Sequence, residues 1–428
     1  MLLDLSTLAE ANKLTDNFVA TFADYAAAEK HISPDFIPSL AAAKNALNSY
    51  DPKGYAKSRN HVAGNVSRLN PYITWGVFTL PEVQQAVKTN VSGKDYQKFV
   101  NELAWKAFFR EAFMALGGRI YTSLEPYKYP TSKRDEMPED LANGTTDLAC
   151  INSIVNELKE TGYLHNHQRM WFAAYLVHFA NIEWWHGEAL FYRYLLDGEP
   201  GANALSWQWV ASTFGGKPYY FNSDNMQKYG HEPCRGVLFD DSYEALNDKV
   251  FSGYGKGGYA KRPKEQPHTD GFAPHPRLLR EPGGNPLVVL HAERLSDSAA
   301  VLDACPDAPV VVWLDSDRFR DEQPSWMRLH FALHLAADVV RTLQQQGREA
   351  VLSFTGEFED IVQTAERLGC KSVAAPDSWH PDTWEYFDEL DEVLPVSIVA
   401  DEPFARVSAS LRSFSSYWRK AEKEAMKR

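Results

Sequence analysis

The chain reads as two parts of different class: an all-α part over residues 1–252 and a parallel α/β part over residues 285–428, joined by a linker over 253–284. Three observations predict this. Before residue 252 several long stretches carry amphipathic helical spacing with few breakers. After residue 285 five short apolar runs of strand type, PLVVLH, PVVVWL, EAVLSF, KSVAA and PVSIVA, follow one another. Helical stretches separate several of them, notably Trp326 to Gln346 and Phe358 to Leu368, the alternation expected of a parallel sheet. Between the two parts, GYGKGGYAKRPKEQPHTDGFAPHPRLLREPGG is rich in Gly, Pro and Lys and has no apolar period.

The 428 residues are enough for two or three domains with sizeable cores. Hydrophobic residues make up 44% and charged residues 24%, an ordinary water-soluble composition. No apolar run approaches the roughly 20 residues that span a bilayer, so no membrane association is expected. The start, MLLDLSTLAEANK, lacks the basic beginning of a secretory signal, and a cytoplasmic location is the expectation. Cys150, Cys234, Cys305 and Cys370 are scattered without a CxxC pair, which argues for neither a disulfide framework nor a metal site. The net charge is −13, with the acid excess concentrated after residue 270. That weighs against, without excluding, a duplex-binding surface, which normally leaves a basic footprint.

Taken in order, residues 1–50 are Ala-rich and read as helical. Tyr55 to Gly76, YAKSRNHVAGNVSRLNPYITWG, places Gly64, Asn65 and Ser67 ahead of a hydrophobic helix. Free backbone N–H groups there would bind a phosphate, and an ordinary cap at Ser67 explains the same residues. Residues 96–116 form an amphipathic helix that brings Glu102, Trp105 and Lys106 onto one face. That face is either a solvated Glu–Lys pair beside a core Trp or part of a site. Residues 119–150 lack periodicity and read as a long surface loop. Thr161 and Gly162 are read as the opening of a central helix that runs unbroken to Gly187. On it His165, Asn166, Arg169 and Met170 share one side. An amide, an imidazole and a guanidinium among Met, Trp and Phe suit either a satisfied buried polar cluster or the wall of a pocket for a polar, anionic, aromatic ligand.

The order of these residues narrows the choice. TGYLHNHQRM, then LLDGEPGAN, then WQWVAST closely resembles the helical FAD-binding domain of the photolyase/cryptochrome family. The family pattern is TGW-x-HN with an Arg three residues after the Asn, a D-G-D/E-x-x-x-N run, and WQW-x-AST. The Tyr55–Gly76 segment is similar to the family's Y-x-x-x-R-N followed by TSRLSPYL-x-x-G, with Val66 in place of Thr and Asn70 in place of Ser. Residues 102–110 resemble its ELxWREFFR helix, with Lys106 in place of Arg. NIEWWHGE resembles L-I-D-W-R-x-G-E, with Trp185 where a charged residue is usual. FGGKPYYFNSDNMQKYG is similar to the segment that closes the family's pocket. The C-terminal part resembles the family's Rossmann-like α/β domain, which there precedes the helical one, so the resemblance implies a circular permutation. It also implies no iron–sulfur cluster, since only Cys150 and Cys234 lie in the helical part.

This resemblance implies a site. Tyr55, Arg59, Val66, Ser67, Arg68, Leu69, Asn70, Asn166, Arg169, Asp197, Glu199 and Asn203 would hold FAD, with Asn203 beside the flavin N5 and Arg169–Asp197 beside the ring. Trp207 and then Trp184 would relay an electron. Glu102, Trp105, Lys106, Asn166, Met170 and Trp209 would line a pocket for a flipped pyrimidine dimer. Three functions follow from it. One is a blue-light photolyase, with damaged DNA as partner, FAD as cofactor and an antenna chromophore of unspecified identity. The second is a cryptochrome-type photoreceptor acting through a signalling partner, which the acidic charge and His167, in place of a family Arg, favour. The third is a flavin-binding module without a light function. No metal is implied.

Overall fold

The helical elements occupy the N-terminal part of the chain, and their bounds follow from local chemistry. The helix Gly93–Leu116 buries Phe99, Leu103 and Phe113 on one side and Phe108 on the opposite side, so it is enclosed nearly all round. The structure, a computed structural model, describes residues 2–3, 5–8, 13–251, 268–269 and 278–427. Thr161 and Gly162 close the helix Ala149–Thr161 rather than open one, because Gly162 adopts φ 70° and serves as its left-handed C-cap. The central segment then starts afresh at Asn166, runs to Ala174, continues as a single wide turn over Tyr175–Phe179, and stops. Asn181 at φ 52° breaks it before the helix Trp184–Tyr194, so the continuous helix expected from 161 to 187 is three pieces. The next helix is Pro200–Ala211, with its Pro in the first turn.

Residues 1–50 are less helical than their composition predicts. A strand β1 (Leu2–Leu3), a short turn at Leu5–Leu8 and a helix at Asp16–Thr21 precede an irregular run, and a full helix appears only at Leu40–Ser49. The loop expected over 119–150 contains the short helix Glu139–Asn143. Most of the expected linker lies outside the described residues. Within it β2 (His268–Thr269) pairs antiparallel with β8 (Ala409–Ser410), and Leu278 is fully buried, so those parts belong to the fold.

All five apolar runs are strands: β3 (Pro286–Leu290), β4 (Val310–Leu314), β5 (Ala350–Phe354), β6 (Ser372–Ala375) and β7 (Val396–Ile398). They pair in parallel in the order β5-β4-β3-β6-β7, and β1 adds to the β5 edge antiparallel. Buried on both faces, they are continuous Val/Leu/Ala runs rather than alternating ones. The helix Trp326–Gln345 lies against β4 and β5 and against the helical elements, and most of its circumference is buried. His330 and His334 stack with Phe18 inside this layer, and burial pushes both imidazoles down to about 3 and about 4, so they are neutral.

One core runs through both parts. Tyr72 meets Phe331, Trp75 stacks on Phe319, and Phe108 meets Tyr417. The strongest polar tie is Arg328, 2% exposed, which donates to the carbonyls of Leu195 (2.5 Å) and Gly198 (2.8 Å). Arg328→Met leaves the buried Gly198 carbonyl without a donor, at about 1–3 kcal/mol, and leaves the Leu195 carbonyl only the Gly198 N–H at 3.2 Å. The denaturant midpoint should fall by the equivalent of about 1–3 kcal/mol with the m-value unchanged; an unaltered midpoint would show that the two parts do not depend on this tie.

Candidate functional site

The site begins with a backbone tie between two distant segments. His165 is the N-cap of the helix Asn166–Ala174, its Nδ1 accepting from the His167 N–H at 3.1 Å. Nε2 therefore carries the proton and donates to the Arg59 carbonyl at 2.9 Å. This holds the Tyr55–Asn70 segment against the helix that carries Asn166 and Arg169.

Behind it lies a chain of alternating charges. Arg169 donates to both oxygens of Asp197, at 3.0 and 2.9 Å. Asn70 donates its amide to Asp197 at 2.6 Å and accepts from Lys106 at 2.8 Å. Lys106 pairs with Glu199 at 2.7 Å and reaches the Thr74 hydroxyl at 3.1 Å. Arg110 completes the chain with two bonds to Glu199, at 2.6 and 3.2 Å. Asp197 and Glu199 are 4% and 1% exposed, a depth at which only paired carboxylates persist. Burial alone would raise both carboxyls. Arg169 for Asp197, and Arg110 with Lys106 for Glu199, outweigh it and hold both below the usual range. Three cations face two carboxylates, so the cluster keeps a surplus of positive charge suited to an anionic ligand.

Asn203 lies on the helix Pro200–Ala211 and donates its amide to the Glu188 carbonyl (2.9 Å) and carboxyl (2.7 Å). Two oxygens on that side fix the amide orientation and leave Asn203 Oδ1, which makes no hydrogen bond among the described residues, as an available acceptor. Trp207, 2% exposed, packs edge-on against the stacked rings of Phe172 and Phe191 and directly on Gly187, where an added Cβ would come within 2.1 Å of its ring. Trp184 sits one turn before Gly187, fully buried, its indole donating to Ser123 at 3.0 Å.

The remaining expected residues fall into separate groups. Glu102 pairs with Arg59 at 3.2 Å and Lys98 at 3.1 Å. Asn166 is exposed and its amide contacts the Met170 sulfur at 3.3 Å. Trp105 stacks one face on Phe414 at 3.8 Å and 11°. Trp209 is 38% exposed and stacks on Tyr219. Lys106, expected on the substrate side, points inward to Asn70 and Glu199. In the turn before Asn70, the Val66 N–H is taken by the Gly64 carbonyl at 3.0 Å, and the Leu69 N–H bonds the Ser67 hydroxyl at 3.4 Å. Arg68, at φ 53°, pairs with Asp35 and lies over the rings of Phe36 and Tyr163. Leu69 and Tyr55 are buried, Tyr55 edge-on to Phe99.

Three participants were missed by sequence reasoning. Arg110 stands four residues after Lys106 on one helix, a spacing that could have flagged it. Glu188 stands four after Trp184 in the WWHGE run. Phe414 carries no sequence signal toward Trp105. The cysteines also differ from expectation: Cys150 and Cys234 form a disulfide, with Cα atoms 5.5 Å apart, because the start of the helix Ala149–Thr161 meets the segment after Lys228.

Two outcomes test this cluster. Glu199→Gln leaves Lys106 and Arg110 buried without a counter-charge and should destabilise by about 3–5 kcal/mol in equilibrium unfolding; a cost below about 1 kcal/mol, the range of exposed pairs, would show that the cluster is hydrated. Burial raises the Glu188 carboxyl to about 7, with Asn203 partly opposing. The folded state therefore binds this proton more tightly than the unfolded state, and stability is lost as pH rises from the ordinary carboxyl value through about 7. Glu188→Gln keeps the acceptor for Asn203 without the charge, so its melting temperature should fall less than that of the wild type between about pH 5 and pH 8; parallel curves would refute the buried-carboxyl assignment.

Residues 99–233 match the family model for the FAD binding domain of DNA photolyase. The chain is 29% identical over 228 residues to the mitochondrial deoxyribodipyrimidine photo-lyase of Saccharomyces cerevisiae, covering 48% of this chain and 40% of that one. It is 28% identical over 200 residues to the deoxyribodipyrimidine photo-lyase of Thermus thermophilus, covering 46% and 47%. It is 30% identical over 179 residues to that of Alkalihalophilus pseudofirmus, covering 40% and 37%. The chain thus spans less than half the length of these curated relatives. Among solved structures, a Synechocystis cryptochrome aligns at 24% identity and TM-score 0.43, covering 46% of this chain and 44% of that one. A class III photolyase from Agrobacterium tumefaciens aligns at 24% and 0.40, covering 50% and 45%. Over residues 99–233 the chain is similar to the FAD-binding region of the photolyase/cryptochrome family.

Proposed function

We propose that this chain is a blue-light-dependent FAD flavoprotein that splits cyclobutane pyrimidine dimers in DNA. The observation that carries the reading is the buried run Arg169–Asp197–Asn70–Lys106–Glu199–Arg110 beside Asn203, whose Oδ1 has no hydrogen-bond partner among the described residues. The donor set fits the cofactor: cationic surplus for a phosphate or a reduced ring, and one available amide oxygen for a ring N–H. When bound, FAD supplies blue-light absorption and, in its reduced form, one electron for ring opening. Arg169 and Lys106 would offset negative charge on it, and Asn203 Oδ1 would accept a hydrogen bond from a protonated ring nitrogen. The Val66 N–H, the Leu69 N–H and the Ser67 hydroxyl are committed within the turn, so diphosphate binding would rest on Tyr55, the Ser67 N–H and the Asn70 backbone N–H, with Arg68 swinging from Asp35. Trp207 and then Trp184 would pass electrons toward the site. Glu102, Asn166, Met170, Trp105 and Trp209 would meet the flipped lesion.

The same reading takes residues 1–252 as the helical domain and 285–428 as a Rossmann-like domain in permuted order. The core shared by the two parts supports it, since a domain swapped in order must still pack where its family counterpart packs. Damaged DNA in the cytoplasm is the proposed partner, and an antenna chromophore would belong to the α/β part. A photoreceptor is the second reading. The stacking of Trp105 on Phe414 and the commitment of Glu102 to Arg59 and Lys98 favour it, because both lesion-facing groups already have partners.

The deciding experiment irradiates the FAD-loaded, fully reduced full chain with dimer-containing DNA. Blue light should restore the dimers and darkness should not. Glu102→Ala should lower the rate by roughly 10- to 150-fold, the equivalent of one hydrogen bond to a charged group at about 1.5–3 kcal/mol. Intact dimers with a loaded, reduced protein would leave the photoreceptor reading, and a protein that takes up no FAD would end both.

A further inference from the structure

Trp184 is fully buried and needs an outward neighbour if it is to exchange electrons with solution. Among the described residues its ring neighbour is Trp185, with centroids 5.9 Å apart at 77°. Trp185 is half-buried, and its indole N–H donates to Asp135 Oδ1 at 3.0 Å, the same oxygen that His186 contacts at 3.0 Å. Asp135 has its side chain 75% exposed. Its place is held by backbone pairing next door: Arg134 N–H donates to the Asn181 carbonyl, and Glu183 N–H to the Arg134 carbonyl.

We propose that Trp185 is the terminal, solvent-facing donor of the electron relay and that Asp135 takes its proton. The proposal rests on the flavoprotein reading above. Its physical basis is a gradient of surroundings for positive charge. Trp184 has no water and only a neutral hydroxyl at its N–H, so a cation there is poorly solvated. Trp185 has water on one side and a carboxylate on its N–H, so a positive charge is more stable there. With FAD bound, Trp207 would supply the one electron that the light-excited cofactor takes up; Trp184 would refill Trp207, and Trp185 would refill Trp184. The Trp185 N–H bond would then break, its proton passing to Asp135 and on to water. An external thiol would return a hydrogen atom to the indole nitrogen and become a thiyl radical, which restores Trp185. Gly187 makes the inner transfer short, because its bare backbone lets Trp207 lie on the turn that follows Trp184.

The test uses the full chain loaded with FAD and, separately, free of it. In the loaded protein Trp185→Phe should keep its flavin content and lower the rate of photoreduction by thiol about tenfold, the size one hydrogen bond to a charged group sets in an equilibrium. Trp185→Tyr should recover part of the loss. Flash spectroscopy of the wild type should show the deprotonated tryptophan radical, and Asp135→Asn should delay that deprotonation. In the flavin-free wild type, azide radicals with a nitrone trap should leave the adduct on the peptide containing Trp185. Photoreduction of Trp185→Phe at the wild-type rate, or an adduct on Tyr127 or another segment, overturns the proposal. The flavin-free arm keeps it falsifiable if no FAD binds, an outcome that would instead strike the flavoprotein reading.

Discussion

The buried charge chain from Arg169 to Arg110 is the constraint on which the rest depends. Its six members come from four stretches: Asn70 from the start of the short helix Asn70–Thr74, Lys106 and Arg110 from the helix Gly93–Leu116, Arg169 from the helix Asn166–Ala174, and Asp197 and Glu199 from one loop. Burying these ions costs several kcal/mol each, and their attraction offsets that only in good geometry. Any displacement of one helix leaves a buried charge without its partner. The cluster is therefore weak as a source of stability and strong as a specification of where four segments must sit.

The loop that bears both carboxylates is held on every side. The Leu195 and Gly198 carbonyls accept from Arg328, the Leu196 carbonyl from the Trp75 indole at 2.9 Å, and the Asp197 carbonyl from Thr74 at 3.3 Å. Leu196 N–H donates to the Gly162 carbonyl at 2.9 Å. A Cβ at Gly198 would stand 2.5 Å from Arg328 Nη1. Arg328 belongs to the helix that covers the sheet, so the C-terminal part positions the carboxylates of a site built otherwise from the N-terminal part. The two parts are thus coupled at the site itself, and a disturbance of the sheet layer reaches Asp197 through one guanidinium.

Much of this was legible in the sequence. The five strands and the long helix from Trp326 were readable because a sheet buried on both faces needs uninterrupted Val and Leu, and a helix between two layers needs apolar residues almost all round. Arg169, Asp197, Glu199, Asn203 and Trp207 were readable because their motifs have fixed spacing. What escaped depends on contacts between distant residues or on single backbone angles. Gly162 looked like a helix opener, yet a left-handed cap ends one helix and frees His165 to start another. The Cys150–Cys234 disulfide joins residues 84 apart with no spacing signature. Lys106 looked like a surface partner of Glu102; its inward turn is set by Glu199, which periodicity along one helix cannot reveal.

The contacts of Glu102 and Trp105, which favour the photoreceptor reading, would still have to yield to a ligand on the repair reading, and their strengths bear on that. Glu102 is a third exposed at its side chain, and its pairs with Arg59 and Lys98 are of the kind that contribute about 0.2–1 kcal/mol. A buried hydrogen bond from a nucleobase to the same carboxylate is worth about 1.5–3 kcal/mol, so a ligand that excludes water would displace those pairs. The Phe414 stack occupies one face of Trp105, and an indole has two. A ring braced from behind at 3.8 Å loses little further freedom when a planar ligand stacks on its other face, so the entropy that an unbraced Trp would surrender on binding has already been lost in folding. On the repair reading the helix Phe414–Ala425 would thereby act as a backstop for the stacking residue, and its position would bear on binding as directly as that of the motif residues themselves.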